Sequence, residues 1–484
     1  MSLTDDLVLL VRAVRILVHP VKWLGSRVSL STGDRALLAL LLALALVRGL
    51  IYVALIPPWQ APDEPYHFST ALLPNLATDA QTADSQWRTL RVEMLASMLQ
   101  HRFWDFQVFG PVPQTTADRQ RLYESAVSAR RPAAPRAYIY YGLAWALRPV
   151  THQDVTFQLY WARLLSVLTN LGIVGLAFLV GRRLFPDDRF AAALLPLSIV
   201  FHPQNTFITA AVNDGNPAAL LASIAVLLLT VLITQGLGWQ RVVALGVFVG
   251  LAVAAKPTAA YLLPVFLVVV TLTVWQRLRG WWRLALIPLA AGAGYVLIRV
   301  SARVLPKLLV LAGLVESAGL LGLVTTLANA PFQRGFFWAF RSFWAFLGWE
   351  SLPVDDGWVW LLMGLCGLAA AGWVRLALRH VRGRSQDSAD TARWRAWLAF
   401  AACTLTILLL IALQSVVDKA ELYVGRYLFA LIIPIVALLV IGWREVVPSG
   451  WRGAATVLIT SFLIVFDTAV LLHYALPFFY PLWR

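Results

Sequence analysis

Apolar stretches recur along the chain, each roughly twenty residues long and therefore able to cross a bilayer as a helix. Shorter polar connections separate most of them. We identify eleven such spans, at residues 36–56, 156–180, 190–210, 216–235, 241–257, 259–275, 284–304, 358–378, 395–414, 427–443 and 454–475. The pattern predicts an all-α fold, a polytopic transmembrane helical bundle, because a transmembrane barrel would show short alternating segments instead.

Basic residues set the expected orientation of these spans. They cluster before the first span, between the second and third, before the seventh, and between the eighth and ninth. With an odd number of spans these clusters share one side, which the positive-inside rule makes cytoplasmic. We therefore expect a cytoplasmic amphipathic segment over residues 1–35, a transmembrane domain over 36–475, and a short outer-face tail over 476–484.

On this topology two long polar stretches, residues 57–155 and 305–357, lie on the outer face. Within the first, residues 85–104 place four apolar side chains on one helical face, which predicts a helix lying in the membrane interface. Within the second, Arg334 and Arg341 lie seven positions apart among aromatic residues, on one face of another expected interfacial or re-entrant helix.

The composition supports a membrane protein. Hydrophobic residues form 60% of the 484 residues and charged residues 13%, with a mean hydropathy of +0.71, whereas a soluble domain carries about 25% charge. A net charge of +15 would suit nucleic acid, but most basic residues flank apolar runs, so we expect topology signals and no nucleic-acid partner. The two cysteines, Cys366 and Cys403, show no metal-binding spacing.

The string "PPWQAPDEPYHF", residues 57–68, places two adjacent acids directly after the first predicted span. Prolines flank Asp63 and Glu64 on both sides, and His67 follows within one helical turn. Proline restricts its own backbone and that of the preceding residue. The acidic pair is therefore expected on a short, stiff segment at the boundary between water and lipid.

A rigid carboxylate at this place has three interpretations. It can take a proton from an attacking hydroxyl as a general base, with His67 orienting a carboxylate or an acceptor. It can bind a divalent cation, Mg²⁺ or Mn²⁺, through oxygen, with Asp63 and Glu64 as ligands. Alternatively, Glu64 caps the next helix and Asp63 is solvated. The sequence favours a catalytic group of Asp63, Glu64 and His67, and does not decide which acid is the base.

Further candidates follow in the later spans. Asn213 and Asp214 fall on the outer side, in a sequence that is also typical of a turn. Lys256 interrupts an apolar run and either extends to the interface or presents a point charge to a phosphate. Arg426 begins the tenth span and matches phosphate oxygens in a two-pronged way, or it anchors the helix beside Tyr427.

Aromatic residues of the first outer stretch are candidates for stacking on a sugar ring. Trp59 and Tyr66 lie within the acidic string. An aromatic belt at the membrane interface explains such residues equally well.

The order of these features resembles the GT-C class of glycosyltransferases, multi-pass enzymes that take sugars from polyprenyl-phosphate carriers on the outer face. The acidic string resembles more narrowly the P-P-x-x-x-P-D-E-x-x-H-F signature of a bacterial family of unknown function placed in that class. Three later segments are similar to that family in the same order: "NDGNPAALLA" (213–222), "SFWAFLGWESLP" (342–353) and "VGRYLFALIIP" (424–434). The resemblance spans most of the chain, from about residue 36 to 475.

The resemblance implies a bundle of GT-C type with long outer-face loops that carry interfacial helices. It implies an inverting transfer at the outer face of the bacterial plasma membrane. The donor would be a polyprenyl-phosphate sugar held in membrane lipid, and the acceptor a hydroxyl of a glycan, glycolipid or protein. On this hypothesis Lys256, Arg426 and Arg341 bind the donor phosphate. The substrate-binding residues would be Asn213, Asp214, Tyr66, Trp59 and Tyr427.

Other functions remain open at this point. A polysaccharide polymerase or ligase that uses a lipid-linked glycan would need a similar outer loop. A flippase or transporter of the carrier lipid would place ionisable groups near the middle of the membrane, where the predicted spans offer few beyond Arg163, Arg299 and Asp467. A non-catalytic scaffold would leave the acidic pair without a role.

Overall fold

The computed structural model describes residues 30–106, 127, 130–133, 138–277, 332–383, 388–418 and 424–481. The seventh predicted span, Arg299 and nearly all of the expected N-terminal segment lie outside these described residues.

Helices make up nearly all of the described chain. In chain order they are α1 (Thr32–Leu55), α2 (Glu64–Leu72), α3 (Ala80–Gln100), α4 (Ile139–Leu147), α5 (Val155–Leu184), α6 (Arg189–Val200), α7 (Pro203–Thr209), α8 (Gly215–Gln235), α9 (Trp239–Ala255), α10 (Leu262–Arg277), α11 (Phe332–Trp344), α12 (Asp356–Val381), α13 (Ser388–Asp418), α14 (Ile432–Val446), α15 (Arg452–Ala469) and α16 (Leu476–Phe479). Two short strands, β1 (Phe346–Leu347) and β2 (Leu352–Pro353), form a hairpin between α11 and α12.

Eight helical segments of the described chain are long and apolar enough to cross a membrane. They are Thr32–Leu55, Val155–Leu184, Gly215–Gln235, Pro257–Trp275, Asp356–Val381, Ser388–Ile411, Gly425–Val446 and Ser449–Phe479. The shorter apolar helices α6 and α9 fall on the third and fifth predicted spans. The structure therefore confirms an all-α, polytopic membrane protein, while the count of eleven spans and their orientation stay predictions.

The third predicted span, residues 190–210, is not a single helix. α6 ends at Val200, and α7 begins at Pro203, because proline lacks a backbone N–H and its ring clashes with the preceding turn. His202 caps the new helix, with its Nδ1 accepting a hydrogen bond of 3.2 Å from the backbone N–H of Asn205. This break places α7 in the wall of the pocket described below.

The interior of the bundle is formed by α5, α8 and α14. α5 packs against α1, α6 and α8, and α8 also packs against α9. α14 packs against α12 at Gly442 and Gly372, where a Cβ on Gly372 would lie 1.9 Å from the backbone oxygen of Gly442. Small residues allow this direct contact of two helix backbones, as is common between transmembrane helices.

The described residues of the first outer stretch, chiefly 57–106 and 138–155, pack on the bundle and form a small apolar cluster. The predicted amphipathic helix is present as α3, and Trp87, Leu90 and Met94 are buried on one face. That face packs against the protein, including α5, and the rings of Trp59, Phe68 and Trp104 complete a local core around it. The apolar side chains of α3 therefore contact protein, and the position of the helix at the membrane interface stays a prediction.

The hairpin of the second outer stretch, residues 346–353, contacts the first stretch. The β1–β2 hairpin turns at Gly348, whose φ of +63° is readily adopted by glycine. Trp349 donates its Nε1–H to the backbone oxygen of Trp59 at 2.9 Å. The side chain of Gln204 pairs with both backbone groups of Phe346, at 3.0 and 2.6 Å. These contacts fix the hairpin over the acidic string.

Candidate functional site

Glu64 lies at the start of α2 and is completely buried, at 0% exposure. Arg163 of α5 donates to both carboxylate oxygens, from Nε at 2.8 Å and from Nη2 at 2.6 Å. The backbone N–H groups of Trp59 and Val212 each donate to the same carboxylate at 3.1 Å. Four hydrogen bonds therefore occupy the Glu64 carboxylate.

Arg163 also fastens the chain that precedes the acidic pair. Its Nη1 donates to the backbone oxygen of Ile56 at 2.7 Å, and its Nη2 to that of Pro57 at 3.0 Å. One buried guanidinium thus ties the end of α1 to the turn that follows it. The arrangement makes Glu64 and Arg163 positioning residues for this turn.

Asp63 has the opposite environment, with its side chain 48% exposed. Its Oδ2 lies 3.0 Å from Nη2 of Arg426. The backbone of Asp63 is left-handed, with φ of 62°, and that of Trp59 has φ of 72°. Such angles are unusual outside glycine, and for a bulky residue they are strained. They persist where the surroundings impose them, here through the Glu64 network, and they are typical of functional sites.

His67 follows on the buried side of α2. Its Nδ1 lies 2.7 Å from the hydroxyl of Tyr140 on α4, and its Nε2 lies 3.7 Å from Oδ1 of Asp214. Burial lowers the pKa of His67 to about 4, against the opposing effect of the Asp214 charge. A neutral ring can accept from the Tyr140 hydroxyl through Nδ1, while its Nε2 faces Asp214 at a distance too long for a hydrogen bond.

Asp214 and Lys256 meet where α8 begins and α9 ends. Nζ of Lys256 lies 2.5 Å from Oδ1 of Asp214. Asn213 accepts a hydrogen bond of 2.6 Å from the backbone N–H of Gly215 through its Oδ1, the geometry of an Asx turn. The turn expected from this sequence is therefore present, and it also belongs to the site.

Five of the predicted site residues line one pocket: Asp63, Asn213, Lys256, Arg426 and Tyr427. Its other lining residues are Asn205, Ile208, Thr209, Gly215, Asn216, Ala218, Ala219, Thr258, Phe429 and Ala430. About 560 Å³ of space is free of protein atoms here, including open solvent at the mouth of the pocket. Nη1 of Arg426 is buried and has no hydrogen-bond partner among the described residues. The pocket thus combines one accessible carboxylate with two cations.

Other predicted residues do not reach this pocket. Trp59 is fully buried and donates its Nε1–H to Ser97 at 3.0 Å, so its ring cannot stack on a sugar. Tyr66 is exposed outside the pocket lining. Arg341 forms an ion pair with Asp356 and lies over the ring of Phe337. The sequence spacing could not show these partners, because each lies on another turn or element.

The expected metal ligands do not form a pair. Among the residues that the structure describes, no three His, Cys, Asp or Glu side chains are grouped as a metal ion would require. The Glu64 carboxylate is taken by Arg163, whereas Asp63 faces Arg426. These two acids therefore have no shared cation position.

Sequence reasoning missed several members of the site. Tyr140 and Asn205 carried no motif, and Thr209 lay inside an apparent apolar span. The sequence shows Arg163 as a charge within a span but does not indicate its partner. The sequence holds no signal for this pair, because the two residues lie 99 positions apart.

The fold and site together define a polytopic, all-α membrane protein with a charged pocket at the ends of several helices. The chain belongs to the family described as "Predicted membrane protein (DUF2142)", whose model matches residues 46–439. No curated protein and no solved structure matches it.

Proposed function

We propose that this protein is a glycosyltransferase of GT-C type. It would move a sugar from a polyprenyl-phosphate carrier to an acceptor hydroxyl on the extracytoplasmic face of the membrane, with inversion at the anomeric carbon. The observation that carries the proposal is the meeting of Asp63, Lys256 and Arg426 on one pocket. These residues come from distant parts of the chain. They supply the carboxylate and the cations that such a reaction needs.

The cations suit the leaving group. In the donor the phosphate is a diester with one negative charge, and after the sugar–oxygen bond breaks it leaves as a monoester with a second. Arg426 and Lys256 would stabilise this developing charge. Arg426 has a buried Nη1 without a partner in the described chain, so it can bind a phosphate oxygen without first losing a hydrogen bond there.

Asp63 suits the general base. The acceptor oxygen attacks the anomeric carbon on the side opposite the phosphate, and its proton passes to the Asp63 carboxylate. The exposed half of this side chain leaves room for an acceptor to approach from outside the protein. A bound phosphate would compete for Arg426 and loosen its ion pair with Asp63. Donor binding would in this way free the base.

The pocket also suits a lipid-linked donor. Ile208, Ala218, Ala219 and Phe429 form an apolar part of its wall, next to helices long enough to span the membrane. The polyprenyl tail would follow this wall into the bilayer, while the phosphate stays at the charged end.

Translocation of the carrier lipid is a second candidate function, favoured by one observation. Arg48 of α1 forms a buried ion pair with Asp467 of α15, supported by Tyr52 and Thr206. Ionisable groups within spans are rare, and in transporters they mark substrate or ion pathways. Both partners are present here, so a structural contact between α1 and α15 explains the pair as well.

One experiment separates the two functions. Purified protein in lipid nanodiscs receives a panel of polyprenyl-phosphate sugars with candidate acceptors, and mass spectrometry follows free polyprenyl phosphate. We expect release by the wild type and none by Asp63→Asn. If no donor is consumed, while the protein moves a fluorescent polyprenyl phosphate across proteoliposome membranes, transfer is wrong and translocation is supported.

A further inference from the structure

Asn205 of α7 carries a buried carbonyl oxygen without a partner. The residue is 1% exposed, and its Oδ1 accepts no hydrogen bond from any described residue. Its Nδ2 donates to Oδ1 of Asn170 on α5 at 3.1 Å, which fixes the amide. Buried polar groups are nearly always paired. The Asn205 oxygen is unpaired while its amide is held by Asn170, and this arrangement indicates a position where a ligand donates a hydrogen bond.

The location indicates which ligand. Asn205 lines the same pocket as Asp63, Lys256 and Arg426, and Thr209 lies one helical turn further on. A carbonyl oxygen needs a hydrogen-bond donor. Of the parts of a polyprenyl-phosphate sugar, the tail has none and the esterified, ionised phosphate has none. Only the sugar carries hydroxyl groups that can donate.

We propose that Asn205 is a sugar-binding residue, with its Oδ1 accepting a hydrogen bond from a hydroxyl of the sugar to be transferred. This inference rests on the proposed function and deepens it by assigning a sugar contact to one wall of the pocket. The acceptor is a less suitable partner, because it approaches the exposed carboxylate of Asp63, whereas Asn205 is enclosed.

The break between α6 and α7 fixes the backbone of Asn205. His202 accepts from the backbone N–H of Asn205, and the hydroxyl of Thr209 donates to its backbone oxygen at 2.7 Å. Both backbone groups and one side of the amide are thus occupied. The remaining oxygen is held in one orientation, which is what discrimination between sugars requires.

The test measures binding and does not require turnover. Purified protein is titrated with polyprenyl phosphate and with the same lipid carrying mannose, glucose or galactose. We expect the wild type to bind at least one sugar-loaded lipid more tightly than the bare lipid. Asn205→Ala and Asn205→Ser should weaken the binding of that sugar-loaded lipid about tenfold, which corresponds to the loss of one hydrogen bond. The binding of the bare lipid should not change.

Two substitutions of Asn205 are used because one of them could misfold. Either folded variant is sufficient for the test. Ser223→Ala is the matched control, because Ser223 is equally buried in α8 but lies outside the pocket lining. Its preference for sugar-loaded lipid should equal that of the wild type.

Each result decides the inference. Equal binding of bare and sugar-loaded lipid by the wild type overturns it, and so does a preference that survives both Asn205 variants. A preference that depends on Asn205 supports it, even if no polyprenyl phosphate is ever released. In that case the proposed transfer fails while the sugar contact stands.

Discussion

The carboxylate of Glu64 and the guanidinium of Arg163 form a two-pronged ion pair, at 2.8 and 2.6 Å, that is sealed from solvent. It fixes the turn on which the neighbouring Asp63 is presented to the pocket. The two adjacent acids therefore have different roles. One is buried and holds the backbone, and the other is accessible and faces Arg426.

Removing the charge of Glu64 should destabilise the protein. Glu64→Gln leaves Arg163 buried without its counter-charge, and loss of one partner of a buried pair costs about 3–5 kcal/mol. We expect a clearly lower midpoint of thermal unfolding in detergent. The control is Glu93→Gln on the exposed side of α3, which should leave the midpoint unchanged. An unchanged midpoint for Glu64→Gln would show that the pair does not hold the turn.

Asp63→Asn should hardly change stability but should strongly lower activity. The side chain is half exposed, and exposed ion pairs contribute about 0–1 kcal/mol, so unfolding should hardly change. Loss of a general base lowers turnover by about 10²–10⁴-fold. Release of polyprenyl phosphate checks the second effect, with Asp187→Asn as an exposed control outside the pocket. Full activity in Asp63→Asn would move the base to another residue.

The hydrophobic pattern predicted most of the helices, because length and apolarity alone determine a membrane-spanning segment. It failed at residues 190–210, where Pro203 divides one apolar run into α6 and α7. It also could not predict that the apolar face of α3 packs on protein, since an amphipathic helix has the same pattern whether that face meets lipid or protein.

The site was predicted unevenly for a related reason. Charged residues at span ends, such as Lys256 and Arg426, stood out against an apolar background, and both line the pocket. The division of roles between Asp63 and Glu64 could not be predicted, because it depends on Arg163, a residue 99 positions further along the chain. Asn205 was missed because an amide inside an apolar run has no sequence signature.

The two pocket cations should bind the donor phosphate. Arg426→Lys keeps the charge but loses the two-pronged geometry, and Lys256→Gln removes the charge. A hydrogen bond to a charged group contributes about 1.5–3 kcal/mol, so each change should weaken polyprenyl phosphate binding about tenfold to a hundredfold. Titration with the bare lipid measures this. Arg341→Gln is the matched control, since Arg341 pairs with Asp356 away from the pocket lining. If it weakens binding as much, the pocket is not the phosphate site.

Acid should destabilise the protein through His67. Burial lowers its pKa to about 4 in the folded state, against 6.5 for the free side chain. Above pH 6.5 the ring is neutral in both states and contributes no pH dependence. Between pH 6.5 and 4 the unfolded chain binds a proton that the folded protein does not, so stability falls by about 3 kcal/mol in total and then levels off.

The variant His67→Asn should remove this component, because asparagine can still accept from Tyr140 but does not titrate. Thermal unfolding midpoints measured from pH 7.5 to 4.5 should therefore fall less steeply in His67→Asn than in the wild type. His152→Asn is the control, since His152 is exposed and its removal should leave the slope unchanged. Equal slopes for wild type and His67→Asn would mean that folding does not shift the pKa of His67. A steeper fall in His67→Asn than in the wild type would mean that the ring is charged in the folded protein, paired with Asp214.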